Sequence, residues 1–187
     1  MILKNMICVA GFCLITLSGQ AAGKPEVPPY KDKTVSIEKR VDDLMGRMTL
    51  REKVLQLQNR GAGRLDEIDR IFNGESYGCT HEMGTTAAEC AAMYKELQQY
   101  MLTKTRLGIP IITSAEGIQG ILQNNCTLFP HALAQGSTFN PALIQRMTEA
   151  AGEEAKVIGI HQILSPVLDI ARELRWGRVE ETFGEDP

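Results

Sequence analysis

The 187-residue chain has no surplus of basic residues. Twenty Lys and Arg stand against 23 Asp and Glu, giving a formal net charge of −3. A nucleic-acid-binding domain carries a basic footprint, and no block of like charge here suits phosphate or anionic lipid. Nucleic acid is therefore not expected as a partner. The chain also has no apolar run long enough for a membrane span. Ile7 to Leu17 amounts to 11 residues, where a span needs about 20. It has no CxxC pair, and His81, His131 and His161 share no metal-ligand spacing, so no metal or cofactor is expected. It has no internal repeat and no low-complexity tract. What is present, 43% hydrophobic and 23% charged residues, is ordinary for a globular domain with a sizeable core.

The N-terminus has the layout of a secretory signal. Lys4 supplies the basic start, Ile7 to Leu17 the apolar centre, and Ser18-Gly-Gln-Ala21 small residues at the cleavage positions. Residues 1–21 are expected to be removed, leaving a protein secreted into a bacterial periplasm and free of the membrane. Two of the five cysteines go with this segment, leaving Cys79, Cys90 and Cys126. An odd number cannot fully pair. The three are read as small buried or half-buried residues, with Cys90–Cys126 as the pair an oxidising compartment would permit. Residues 22–36 hold Pro25, Pro28 and Pro29 among charges and read as a flexible leader.

The globular part, residues 37–187, shows alternating helix and strand signals. Ile37, Val41, Leu44 and Met48 have helical spacing. Thr49 and Glu52 make a capping box that should open a helix to about Leu57, and Thr86 with Glu89 makes another. That second helix should bury Cys90, Tyr94, Leu97 and Met101 and stop near Leu107, before Gly108. Residues 73–84 read as loop. Ile109 to Ala115 reads as a buried strand. Asn140-Pro141 should start a helix with Leu143, Met147, Ala151, Ala155 and Ile158 on one face, closed by Gly159. Ile160 to Leu168 reads as a second apolar strand. Helix, strand, helix, strand in this order predicts an α/β fold with a parallel sheet. In a parallel α/β barrel the C-terminal strand ends carry the active face, which draws attention to Glu116 and to the polar residues after Asp169.

Several segments resemble glycoside hydrolase family 3, in the family's order. Residues 172–187 read RELRWGRVEETFGEDP and resemble its RDPRWGR…EDP signature, with SPVLDIAR at 165–172 leading into it. RLGIPII at 106–112, FPHALAQGSTFNP at 129–141 and MTLREK at 48–53 resemble its upstream motifs. The resemblance implies a partial (β/α)8 TIM-type barrel, first βα units only. It implies a β-glucosidase-like retaining enzyme acting on an oligosaccharide or β-glycoside through a covalent glycosyl-enzyme intermediate. Arg178 matches the arginine that contacts sugar, and Glu116 the acid that grips the terminal sugar. Arg175, Trp176, Asp169, Glu180, Glu181 and Glu185 read as structural, and Asn125-Cys-Thr127 is a glycosylation sequon common by chance.

Two departures stand out. The family often has Asp and His in a D-x-x-H-G turn, whereas residues 116–120 read EGIQG. One extra methylene moves the carboxylate by about 1.5 Å, which leaves glucose, xylose and other pyranoses open. The resemblance places the nucleophile Asp and the acid/base beyond Pro187, so no catalytic residue is expected in this chain and a longer parent is expected. A periplasmic carbohydrate-binding protein without catalysis and a β-N-acetylhexosaminidase are the alternatives. The sequence sets no oligomeric state.

Overall fold

The computed structural model describes residues 27–81 and 86–186. The expected signal at 1–21 lies outside them. The described residues divide between two compact units that part after Gly46.

In the first unit, a 3-10 turn at Pro29–Lys31 sits inside the stretch read as a leader, followed by helix α1 (Ile37–Arg47). Tyr30 stitches turn to helix. Its N–H donates to Asp43 Oδ2 at 3.2 Å, and its carbonyl accepts from Arg40 Nε at 3.1 Å. Ile37 and Val41 of the α1 stripe remain exposed.

The second unit opens with α2 (Leu50–Leu55), capped as expected. Glu52 N–H donates to Thr49 Oγ1 at 3.2 Å and Thr49 N–H to Glu52 Oε2 at 2.8 Å. Glu52 serves a second purpose, because Arg106 donates to both of its oxygens, Nε to Oε1 at 2.8 Å and Nη2 to Oε2 at 2.5 Å. The Arg106 hydrogen bonds, more than the cap, hold the Glu52 carboxyl down at about 2. A depressed carboxyl contributes stability above its unfolded value and loses it as the pH falls through the folded one. Glu52→Ala should therefore cost about 2 kcal/mol at pH 7, from the cap and the exposed pair together. In denaturant melts that difference should shrink as the pH drops from 5 toward 2; an unchanged difference would disprove the assignment.

Three strands form one parallel sheet in the order β1 (Cys79–His81), β2 (Ile112–Glu116), β3 (Gln162–Leu164). Parallel neighbours need crossovers. Helix α3 (Ile68–Phe72) precedes β1, α4 (Ala87–Lys104) joins β1 to β2, and α5 (Ala132–Gly136) with α6 (Pro141–Ile158) joins β2 to β3. Both long helices follow their sequence signals. The Thr86–Glu89 capping box is formed, and Cys90, Tyr94, Leu97 and Met101 are all buried. Tyr94 reaches from α4 to donate to the Ser114 carbonyl at 3.3 Å. Asn140 caps α6, Pro141 is its first residue, and Gly159 closes it at φ +92°. Phe72 packs edge-on against Tyr77 at 5.7 Å between ring centroids. The hydrophobic core thus lies between α3, α4, α6 and the sheet.

The strands depart from expectation in three ways. Strand β1 lies in the stretch read as loop. Strand β2 begins at Ile112 and not at Ile109, because Pro110 has no N–H and Ile111 bonds Gln98 instead. The Gln98 amide donates to the Ile111 carbonyl at 2.6 Å and accepts from its N–H at 3.2 Å. Strand β3 ends at Leu164, where Pro166 removes a ladder donor. The short helices α3 and α5 carry no strong sequence signal. Among the described residues no disulfide joins Cys90 to Cys126, and no helix is long and apolar enough to cross a membrane.

Candidate functional site

Because the strands are parallel, their C-terminal ends meet on one edge. His81 ends β1 and Glu116 ends β2. The register pairs His81 with Ser114, so Glu116 stands two residues further along the same face. His81 Nε2 lies 3.9 Å from Glu116 Oε1, and His81 Nδ1 lies 3.4 Å from Ser114 Oγ. Both side chains are half-buried, so the carboxylate is neither locked in the core nor loose in solvent.

The turn after Glu116 is fixed from three sides. Leu122 N–H donates to the Glu116 carbonyl at 3.2 Å, and Phe129 N–H to the Gln119 carbonyl at 2.8 Å. Gly120 has φ +93°, and a Cβ there would collide with the Thr127 carbonyl oxygen. Glycine is thus required twice at this position, for its dihedral angle and for the close approach. Gln119 Oε1 is buried with no hydrogen bond among the described residues.

Arg178 enters from a single 3-10 turn, Val179–Glu181, that it caps. Its guanidinium grips Glu181 side-on. Nε donates to Oε1 at 2.9 Å and Nη2 to Oε2 at 2.6 Å. Bidentate pairing of this kind fixes direction as well as distance. Glu181, with Glu116 and Asp169 behind it, holds Arg178 charged by pushing its pKa up; Arg178, and more weakly His131, keeps the Glu181 carboxyl below its ordinary value. Glu181 also borders an apolar cleft of about 280 Å³ whose walls include Phe129, Met147 and Phe183.

The two expected sugar-holding residues, Glu116 and Arg178, therefore come within electrostatic reach of one another across the strand ends. Asp169 joins them from the coil beyond β3 and does not end a strand. Arg175 is set apart, paired with Glu173 at 2.7 Å and pointing to solvent. Trp176, read as a packing residue, keeps 37% of its surface exposed. His81 was the residue missed. Its one signal was the alternation about the buried Thr80, which sends Cys79 and His81 to the same face. Among the described residues no group of three or more His, Cys, Asp or Glu is arranged to hold a metal.

Residues 49–187 match the Glycosyl hydrolase family 3 N terminal domain. The chain is 32% identical to β-glucosidase C of Emericella nidulans over 177 residues, covering 86% of this chain and 29% of that protein. It is 30% identical to a periplasmic β-glucosidase/β-xylosidase of Dickeya chrysanthemi over 184 residues, covering 85% of this chain and 28% of that one. A solved β-glucosidase of Erythrobacter marinus superposes with a TM-score of 0.69 at 30% identity, over 84% of this chain and 22% of that structure. A β-glucosidase of Listeria innocua in complex with laminaribiose gives 0.65 at 30% identity, over 81% and 22%. The chain spans about a quarter of the length of the curated relatives it matches.

Proposed function

The chain belongs to glycosyl hydrolase family 3, and on that premise we propose that it is the N-terminal part of a secreted retaining glycosidase acting on terminal β-D-glycosidic bonds. The observation that carries this reading is the Arg178–Glu181 clamp set at the same strand edge as Glu116. A sugar presents hydroxyls that both donate and accept. A fixed guanidinium offers donors and a half-buried carboxylate offers acceptors, and such charge-assisted bonds are about twice as strong as neutral ones. Arg178 and Glu116 are thus assigned to substrate binding.

A retaining glycosidase needs a carboxylate nucleophile and a carboxylic acid about 5–5.5 Å apart. No residue of 1–187 is assigned to either role; both are proposed to come from elsewhere in a longer protein. Residues 37–187 are proposed as the first βα units of a (β/α)8 barrel, behind a signal at 1–21 and a leader at 22–36. Three parallel strands joined by helical crossovers support that reading. The periplasmic label of the Dickeya chrysanthemi relative supports secretion. Replacement of the family's usual Asp by Glu116 leaves glucoside and xyloside as the substrates to compare.

The test is hydrolysis of nitrophenyl β-glucoside and β-xyloside by the protein made from its complete coding sequence. Turnover of at least one is expected, with the first-formed sugar keeping the β configuration by NMR. Sugar binding without turnover of either would instead support a carbohydrate-binding protein, and neither binding nor turnover would refute both.

A further inference from the structure

We propose that His81 is a positioning residue that holds the Glu116 carboxylate for a sugar hydroxyl, and holds it best when the imidazole is protonated. The proposal rests on the assignment of Glu116 to sugar binding.

Ser114 has one hydroxyl hydrogen, and its Oγ lies 3.0 Å from the Thr80 carbonyl oxygen, which can only accept. With that hydrogen committed to Thr80, the Ser114 oxygen turns a lone pair toward His81 Nδ1, 3.4 Å away. Nδ1 must then carry a hydrogen. On the other side of the ring, Nε2 faces Glu116 Oε1 at 3.9 Å. An ionised carboxylate only accepts, so an ion pair across that gap needs a hydrogen on Nε2 as well. The imidazolium satisfies both contacts at once. A neutral ring satisfies one. With its hydrogen on Nδ1 it turns a lone pair against the carboxylate. With its hydrogen on Nε2 it requires the Ser114 hydroxyl to leave Thr80.

Charges near the pair among the described residues include Arg178, which interacts with Glu116 from its 3-10 turn, and the carboxylates of Asp169 and Glu181 around Arg178. Glu181 engages the Arg178 guanidinium through both oxygens, and among the described residues His81 lies within ion-pair distance of Glu116 and is a cation there when protonated. The side chains of His81 and Glu116 are 22% and 29% exposed, enough for a sugar to reach and too little for free rotation. A hold that depends on the imidazolium weakens once the ring gives up its second proton as the pH rises.

The experiment measures glucose and xylose affinity by titration calorimetry from pH 5 to 8. It uses the protein made from its complete coding sequence, with the wild type, His81→Leu and His81→Gln compared, and thermal melts confirming that each is folded. The wild type should lose about threefold to tenfold in affinity for the sugar it binds between pH 5 and pH 8. His81→Leu should bind at every pH as weakly as the wild type does at pH 8. His81→Gln keeps an N–H for Glu116 without titrating, so it should recover part of the affinity and show no pH dependence. Wild-type affinity and pH dependence in either variant would overturn the role of His81 while leaving Glu116 as a sugar ligand. A wild type that binds neither sugar at any pH would overturn the reading of Glu116 itself.

Discussion

Arg178→Ala, made in the complete protein, should lower kcat/KM for the aryl β-glycoside it turns over by about 10²–10³-fold. The figure corresponds to the loss of one or two hydrogen bonds from a charged donor, at about 1.5–3 kcal/mol each. Most of the loss should fall on KM if Arg178 holds the sugar equally well before and during reaction, and on kcat if its contacts tighten in the transition state. Stability should change little, because the Arg178 side chain is 60% exposed and its pair with Glu181 is local. Arg178→Lys should rescue only part of the loss. A lysine is a point charge and cannot grip both Glu181 oxygens as the guanidinium does. Unaltered kinetics in Arg178→Ala would remove the residue from the site.

The second large effect is on folding. Gly120→Ala places a Cβ against the Thr127 carbonyl and against the Phe129 ring, at a φ of +93°. The dihedral alone costs about 1–2 kcal/mol, and a backbone oxygen cannot rotate out of the way as a side chain can. A total of about 3 kcal/mol is expected, a fall of about 6–12 °C in Tm for a chain of this size. The same substitution at Gly152, inside α6 with nothing within 4 Å of the added methyl, should instead stabilise by about 0.5–1 kcal/mol. Equal effects at the two sites would show that the turn after Glu116 is not held by its approach to residues 127–129.

How far the sequence could be read depended on how local each signal was. Both capping boxes, the Asn140-Pro141 start and the Gly159 stop are written within four or five residues, and all formed as expected. The buried face of α4 was equally legible, since one periodic stripe specifies it. Strand β1 was not. Cys79-Thr80-His81 is three residues long and only one of them is buried, so its identity comes from pairing with β2 across more than thirty residues of chain. Strand β3 was overestimated for the opposite reason: an apolar run suggested nine residues, but Pro166 limits how many can join a ladder. The site divided in the same way. Glu116 and Arg178 were singled out by motifs as the proposed sugar ligands, whereas the contact of His81 with Glu116 needs the register of two strands.

The placement of Glu116 at the end of β2, and of Arg178 on a separate turn with its own carboxylate, has a consequence for redesign. The arginine brings its orienting partner only three positions away, so it travels as a cassette. The proposed acidic side is instead assembled from positions 81 and 116 at two strand ends and 119 in the turn that follows β2. A combinatorial library at those three codons would therefore sample sugar preference while leaving the guanidinium anchor intact, and selection on glucoside against xyloside should enrich changes there before it touches residues 178–181.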